Sequence, residues 1–267
     1  MTAAPRHADH AAAPLLSVQD VAVNFGGIVA LDGISFDMQP GLIVGLIGPN
    51  GAGKTTLFNC LSRLYTPTSG DILFEGRSIL NRGAHRIAEI GIGRTFQNLA
   101  LFHNLSVLDN VRIGGHTKSR SDFFSDSLHL PWTRRGEEVL DSTAREIIAY
   151  IGLQDVAHHR VADLAFGTQK RVELARALAI APKLLLLDEP ASGLNHEEVA
   201  QLGDTIKRIR DDRRLTVLLV EYHMSLVMSI SDVVVALNFG RKIAEGTPAE
   251  VQKDPDVVSA YLGTEKA

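Results

Sequence analysis

Short apolar runs recur along the chain and are separated by stretches whose apolar positions have helical spacing. The runs with the length and content of buried strands lie at residues 41–47, 71–74, 183–188, 215–221 and 232–237. Several are followed by amphipathic helical stretches, an alternation typical of a mostly parallel α/β sheet. Two earlier segments, residues 15–25 and 34–38, alternate apolar and polar residues instead. This period of two predicts an antiparallel portion at the front of the fold.

The strand pattern stops between residues 106 and 165. Residues 107–113 and 137–153 have the spacing of helices. We therefore predict an inserted helical subdomain over about residues 106–165, within a domain that spans residues 15–267. Residues 119–136 mix Gly, Pro, Ser and charge with three aromatic residues, which predicts a loop or broken helix. Those aromatics, Phe123, Phe124 and Trp132, either pack locally or anchor a partner.

Composition places the chain among globular proteins. Its 267 residues, 45% of them hydrophobic, can bury the core of one domain. Residues 1–14 have no apolar stretch like that of a signal peptide and are predicted to form a disordered tail. The net charge of -4 comes from interspersed charges, which argues against nucleic acid as a partner. The single cysteine, Cys60, is predicted to be a small core residue in a reducing compartment.

A glycine-rich loop with a lysine lies between a predicted strand and a predicted helix. Residues 48–55 follow the pattern G-x-x-x-x-G-K-T, whose glycines allow backbone N–H groups to turn towards phosphates. The start of the following helix adds a favourable dipole. Lys54 is predicted to reach the β and γ phosphates, and Thr55 to offer its hydroxyl to Mg²⁺. A simple strand-to-helix turn would not explain a lysine followed by two threonines.

Two acidic residues lie at the carboxyl end of the leucine-rich strand at residues 183–188. Open α/β sheets bind ligands at the carboxyl ends of their strands, where Asp188 and Glu189 lie. We predict that Asp188 holds Mg²⁺ through its water shell. Glu189 is predicted to orient or deprotonate the attacking water. The alternative, a surface acidic pair that caps the next helix, is weak beside a phosphate loop.

With these motifs, the chain from Leu15 onward resembles the nucleotide-binding domains of ABC transporters. These are P-loop NTPases with a mostly parallel sheet core, an antiparallel β portion and an inserted α-helical subdomain. The run GRTFQN implies that Gln97 contacts Mg²⁺ and the attacking water and moves with the membrane subunit. Phe25 takes the position where the family stacks an aromatic ring on adenine. Residues 164–178 resemble the family's signature segment and its helix, and residues 192–195 a segment that crosses the dimer interface.

Together, the motifs and the resemblance predict three groups of site residues. The predicted catalytic residues are Lys54, Gln97, Glu189, Tyr222 and His223; the nucleotide-binding residues are Phe25, Gly48, Pro49, Asn50, Gly51, Ala52, Gly53, Lys54, Thr55, Thr56, Ala165, Phe166, Gly167 and Thr168; and the metal ligands are Thr55, Gln97 and Asp188. The implied cofactors are ATP and Mg²⁺.

The resemblance is more specific to one subgroup. Residues 23–36, 47–65 and 254–263, with the lengthened helical subdomain, are similar to the longer ATP-binding subunit of branched-chain amino-acid importers. This implies a peripheral protein at the cytoplasmic face of the cell membrane. Its implied partners are a second ATP-binding subunit, in a homodimer or heterodimer, permease subunits and, indirectly, a solute-binding protein. A resemblance of fold identifies the motor better than its cargo, so the solute stays open.

The signature segment departs from the family pattern. The family usually has Leu-Ser-Gly-Gly, whose serine bonds the γ-phosphate held by the opposite subunit, whereas this chain has Leu-Ala-Phe-Gly at residues 164–167. Ala165 cannot form that bond, a loss of about 1.5 to 3 kcal/mol. Backbone N–H groups at Gly167 stay available for phosphate. We expect a weakened dimer sandwich, and a partner ATPase could supply an intact serine.

The stretch after residue 220 departs as well. Where the family has a histidine after the last acid of the strand, this chain has Tyr222, and His223 follows one residue later. Either a local shift brings His223 to the γ-phosphate, or Tyr222 is a less capable donor, or neither ring reaches the nucleotide. Loss of one well-aimed donor typically lowers turnover by ~10² to 10³, so the second alternative implies slow hydrolysis.

The leading hypothesis is therefore an ATP-hydrolysing subunit that powers an importer of branched-chain amino acids or similar solutes. A second hypothesis is a nucleotide-binding regulatory subunit whose hydrolysis is weakened, suggested by Ala165 and Tyr222. A soluble ABC-type ATPase of DNA repair or translation is disfavoured, since the chain has no long coiled coil and no basic patch. A GTPase is disfavoured because no Asn-Lys-x-Asp sequence occurs.

Overall fold

The computed structural model describes residues 13–95, 99–116 and 131–262, with side chains at all of these except residues 131–136. Four predictions fall elsewhere: most of the tail at residues 1–14, Gln97, the ring of Trp132, and Phe123 with Phe124 lie outside the described part. The strands are β1 (Leu16–Phe25), β2 (Ile28–Met38), β3 (Ile43–Ile47), β4 (Ser69–Phe74), β5 (Arg77–Ser78), β6 (Ile92–Arg94), β7 (Leu184–Asp188), β8 (Thr216–Val220), β9 (Val233–Asn238) and β10 (Arg241–Gly246). The α-helices are α1 (Lys54–Leu61), α2 (Val107–Gly115), α3 (Pro131–Ile151), α4 (Phe166–Leu178), α5 (His196–Arg213), α6 (Met224–Ile230), α7 (Pro248–Val251) and α8 (Pro255–Leu262).

Six strands form a largely parallel sheet in the order β10-β9-β3-β8-β7-β6 across the described residues. β10 alone among them runs antiparallel to its neighbour. All residues of β3, β7 and β8 are buried, because apolar layers cover both faces of the sheet. The carboxyl ends of these three adjacent strands therefore meet at one edge.

The run at residues 71–74 was assigned to the parallel sheet, and this assignment is wrong. It belongs to β4, which pairs antiparallel with β1 in a second sheet of order β2-β1-β4-β5. Ile72 and Phe74 are buried, whereas Asp71 and Leu73 are half-buried. This alternation matches a strand covered more fully on one face, which is usual for an antiparallel sheet. The predicted antiparallel portion is thus larger than residues 15–38.

Helices occupy much of the described part of the range in which a helical subdomain was predicted, namely residues 107–115 and 131–151. α2 packs against both α3 and α4. The Ser106 side chain starts α2 by accepting a hydrogen bond from the Asp109 amide at 3.1 Å, a typical N-cap. The limits of about 106 and 165 stay a prediction. Among the helices of the described residues, none combines the length and apolar character needed to cross a membrane.

Cys60 lies on the inner face of α1 and is fully buried. Burial raises the pKa of its thiol to about 11, and nearby Arg63 lowers it only partly. A thiol in such surroundings behaves as a small apolar side chain.

Candidate nucleotide-binding site

The phosphate loop joins β3 to α1. Gly53 has φ 102°, a left-handed conformation that side chains rarely adopt, and it immediately precedes the first helical residue. A Cβ at Gly53 would lie 2.7 Å from the Ala30 carbonyl oxygen, which is too close. Only glycine fits this point, so the backbone of residues 28–31 in β2 can approach the loop and fix the start of α1.

Lys54 is buried at the centre of the loop. Its Nζ donates hydrogen bonds to the carbonyl oxygens of Gly48 at 2.6 Å and Pro49 at 2.9 Å. Burial lowers the pKa of the Lys54 ammonium, and the Glu189 carboxylate raises it in part. The ring centroid of Tyr222 lies 4.8 Å from Nζ. Lysine, phosphate loop and tyrosine thus form one cluster.

The two acids that follow the leucine run are both buried at the carboxyl end of β7. Asp188 Oδ2 accepts a hydrogen bond from an Arg94 guanidinium N–H at 2.7 Å. Its other oxygen, Oδ1, is buried and has no hydrogen-bond partner among the described residues. Glu189 has φ 48°, a left-handed backbone uncommon for a side-chain-bearing residue. Such strained positions cluster at functional sites.

These side chains fit a hard divalent cation. Mg²⁺ prefers oxygen ligands, usually one or two carboxylates together with waters and substrate phosphates. Asp188 Oδ1 is a buried carboxylate oxygen that accepts no hydrogen bond from the described residues. Thr55, at the start of α1, is exposed and has a hydroxyl group. The oxygen atoms of Asp188 and Thr55 are therefore of the kind that Mg²⁺ prefers as ligands.

Glu221 organises the segment after β8. Its Oε1 accepts hydrogen bonds from the Tyr222 amide at 2.7 Å and the His223 amide at 3.2 Å, and lies 3.1 Å from His223 Nδ1. Its Oε2 accepts from the Ala191 amide at 2.9 Å. Glu221 thus connects the loops that follow β7 and β8, and its carboxylate keeps the imidazole of His223 close to it.

Tyr222, rather than His223, faces the phosphate-binding lysine. Burial raises the pKa of the Tyr222 phenol, and neighbouring carboxylates, first Glu189 and then Asp188, raise it further. The phenol is therefore protonated at neutral pH and can donate a hydrogen bond. His223 instead lies at the N-cap of α6. Whether either ring serves the γ-phosphate stays a prediction.

The remaining predicted nucleotide contacts lie in two places. Phe25 is 46% exposed and makes an edge-to-face contact with Tyr65, with ring centroids 5.2 Å apart. One side of its ring is supported by packing and the residue stays accessible, as stacking on a base requires. Ala165 is the N-cap of α4 and provides no side-chain bond to the helix.

The signature segment and residues 192–195 lie next to each other. The Phe166 ring packs over Gly193, where an added Cβ would be 2.8 Å from the ring. Asn195 caps α5 through a reciprocal pair of bonds with Glu198, each 3.0 Å. The two segments therefore form one continuous surface, on which Phe166 is 46% exposed.

Sequence reasoning missed two residues that reach this site. Arg94 was not recognised because it ends a strand of three residues, which is too short to show an alternation of apolar and polar positions. Tyr261 of α8 lies far along the chain; burial raises the pKa of its phenol, while a hydrogen bond from the Gly48 backbone lowers it. Arg94 lies in the GRTFQN run, but nothing in that run indicates which side chains it contacts, and no signal pointed to Tyr261.

A phosphate loop after β3 and an acidic pair after β7, at one edge of a parallel sheet, define a P-loop NTPase. The family model for ABC transporters matches residues 31–192, and the chain belongs to this family as an ATP-binding subunit. A second model, for branched-chain amino acid ATP-binding cassette transporters, matches residues 241–267. These findings confirm the predicted family, the ABC-type fold and the ATPase class.

Individual relatives agree with this assignment. The chain is 41% identical to the high-affinity branched-chain amino acid transport ATP-binding protein LivG of Escherichia coli (strain K12), over 94% of this chain and 98% of that protein. The corresponding protein BraF of Pseudomonas aeruginosa is 40% identical over the same shares. Among solved structures, the ADP conformation of MJ1267, an ATP-binding cassette of an ABC transporter, has a TM-score of 0.81 and 28% identity. That match covers 94% of this chain and 99% of MJ1267.

Proposed function

We propose that this chain binds and hydrolyses ATP to power an importer of branched-chain amino acids or similar solutes. The observation that carries the proposal is the cluster of Lys54, Asp188, Glu189 and Tyr222 at one sheet edge, in a chain whose relatives LivG and BraF match along nearly their whole length. The match at residues 241–267 supports the same cargo class. A sulfate/thiosulfate import protein of Pseudomonas aeruginosa, at 33% identity over 93% of this chain, is less similar.

For the described residues, the chemistry follows from the positions of the side chains, and the role of Gln97 follows from the family resemblance. The phosphate loop and Lys54 bind the β and γ phosphates, and Phe25 stacks on adenine. Thr55, Gln97 and Asp188 would hold Mg²⁺, which when bound neutralises phosphate charge. Glu189 accepts a proton from water as the water oxygen bonds to the γ-phosphorus. The bond from that phosphorus to the β–γ bridging oxygen breaks, and ADP and phosphate are released.

The γ-phosphate also needs a donor on the side of β8. The phenol of Tyr222 is protonated and lies against Lys54, so it can donate to phosphate oxygens held by that lysine. His223 would have to leave Glu221 to do so. We therefore assign the donor to Tyr222, with His223 as the alternative.

Pairing and membrane attachment complete the proposal. The continuous surface of residues 164–168 and 192–195 would meet the nucleotide of a second ATP-binding subunit, in a homodimer or a heterodimer. In a heterodimer whose partner carries the serine, Ala165 weakens only the nucleotide bound by that partner, whereas in a homodimer both nucleotide sites lack the bond. The chain would attach peripherally to permease subunits at the cytoplasmic face, with a solute-binding protein as an indirect partner.

Steady-state turnover of Mg-ATP, with and without the permease subunits, tests the proposal. Glu189→Gln should lower kcat by about 10² or more, because general base catalysis contributes 10²–10⁴. Glu197→Gln, the same change at an exposed residue in the first turn of α5, is the matched control. Native turnover equal to that of Glu189→Gln would contradict hydrolysis by this site.

A regulatory subunit is the second candidate, favoured by Ala165 at the N-cap of α4 and by Tyr222 in place of histidine. Such a subunit would bind ATP and change conformation without turning it over. In the same experiment, native turnover equal to that of Glu189→Gln, together with turnover that rises in Tyr222→His, would identify it.

A further inference from the structure

We propose that Arg94 is a positioning residue for the metal site: it holds one oxygen of Asp188 and thereby presents the other oxygen to the divalent ion. This inference rests on the proposed function, because it concerns the same nucleotide site. Arg94 lies in the GRTFQN run, but only Gln97 of that run was predicted to be a site residue.

The contact between the two side chains is almost fully enclosed. The Arg94 guanidinium donates to Asp188 Oδ2 at 2.7 Å, and the two side chains are only 9% and 2% exposed. Asp188 Oδ1, on the other side of the carboxylate, is buried without a partner among the described residues. A carboxylate fixed at one oxygen has a fixed orientation, so Oδ1 points in a defined direction.

The other side of the guanidinium is held by α1. One terminal nitrogen donates to Asn59 Oδ1 at 2.9 Å and to Ser62 Oγ at 2.5 Å, with a longer contact of 3.4 Å to the Phe58 carbonyl oxygen. The Phe58 ring centroid lies 5.7 Å from the guanidinium carbon. Arg94 is therefore clamped and cannot turn freely.

This arrangement links the two elements that carry the described metal ligands. Thr55 lies in the first turn of α1, and Asp188 ends β7. Arg94 ends β6, the parallel neighbour of β7, and contacts both. The spacing between Asp188 and the start of α1 thus depends on one guanidinium. In the sequence, Arg94 also stands three residues before Gln97, the third predicted ligand.

Charge balance gives a second reason for an arginine here. Asp188 and Glu189 are adjacent and buried, and a bound triphosphate adds further negative charge. The guanidinium is a planar fork that can serve two sets of acceptors at once. A lysine supplies the charge but not the fork, which makes Arg94→Lys the informative substitution.

The experiment measures metal binding separately from hydrolysis. For the full chain with a non-hydrolysable ATP analogue, Mn²⁺ affinity is determined by electron paramagnetic resonance, and analogue affinity is determined with Mg²⁺ and with EDTA. Arg94→Lys should weaken Mn²⁺ binding about 10- to 100-fold, the usual effect of losing the partner of a metal ligand. Analogue affinity in EDTA should stay within about twofold, since Lys54 and the phosphate loop still make the phosphate contacts.

Arg63→Lys is the matched control. Arg63 follows α1, the helix that Arg94 contacts, and donates to the carbonyl oxygens of Leu80 and Arg82, away from Asp188. A purely structural role for Arg94 predicts that both variants lower the unfolding temperature and leave Mn²⁺ affinity unchanged, which would overturn the proposal. Asn59→Ala loosens the clamp without removing charge, and should weaken Mn²⁺ binding in the same direction by less.

The outcomes also separate this inference from the proposed function. If the native chain with the analogue binds no Mn²⁺, the nucleotide site itself does not use a divalent ion, and both proposals fail. If native binding depends on Mg²⁺ and Arg94→Lys matches the native chain in Mn²⁺ affinity, only the role of Arg94 is wrong.

Discussion

Tyr222 is the residue at which this site differs most clearly from its family's pattern. Its ring lies 4.8 Å from Lys54 Nζ, while the neighbouring His223 is held by Glu221. A phenol can donate one hydrogen bond but cannot become a cation, so it cannot balance charge on the γ-phosphate as an imidazolium can. The ring, however, stabilises the lysine ammonium through a cation–π contact. Tyr222 therefore has two separable roles: its hydroxyl can donate a hydrogen bond to phosphate, and its ring stabilises the ammonium of Lys54.

Tyr222→Phe separates them. We expect kcat for Mg-ATP to fall at least about tenfold, because a transition-state donor is lost. KM should stay within about twofold, because the phenyl ring still covers Lys54. Tyr150→Phe removes a hydroxyl that donates to Asp212 at 2.9 Å, and serves as the control. Unchanged kcat in Tyr222→Phe, with a fall in His223→Ala, would transfer the donor role to His223.

At the level of elements, the phosphate loop depends on the space around its glycines. Gly51 and Gly53 both have positive φ, 77° and 102°, but an added Cβ at Gly51 meets nothing within 4 Å. Gly53→Ala should therefore destabilise the protein by about 1 to 3 kcal/mol more than Gly51→Ala, from overlap with the backbone of Ala30. Urea unfolding followed by circular dichroism measures the difference. If the two variants lose equal amounts of unfolding free energy, the destabilisation comes from backbone strain alone and not from overlap with Ala30.

The elements also show what the sequence could and could not predict. β3, β7 and β8 were predicted because strands buried on both faces read as continuous apolar runs. The run at 71–74 was placed in the wrong sheet, since four residues do not specify a strand's neighbour. β6 and β10 were missed: one has three residues and the other is partly exposed and polar. Arg94 could not be assigned a partner because its contacts with Asn59 and Asp188 arise only from tertiary packing.

For the molecule as a whole, position at one sheet edge explains why motif reasoning succeeded. Lys54 follows β3, Asp188 ends β7 and Tyr222 follows β8, and these three strands are neighbours in the sheet. Ligands generally bind at the carboxyl ends of parallel strands, and this rule therefore assigned residues that are far apart in the sequence to one site. Strand order, however, was not predictable from hydrophobic spacing. The helices α2, α3 and α4 share one apolar core with the parallel sheet, so the predicted helical subdomain packs against the sheet that carries the site.

The buried thiol of α1 has a practical consequence for spectroscopy. Cys60 is the only cysteine in the sequence, is fully buried and has a pKa of about 11, so it stays protonated and protected at neutral pH. We expect Ellman's reagent to detect no thiol in the folded chain and one thiol per chain in guanidinium. The native protein is then already a suitable background for site-directed labels. A cysteine introduced at an exposed position of α5 could carry a spin label or a fluorophore, and distances between two subunits could be followed as ATP binds.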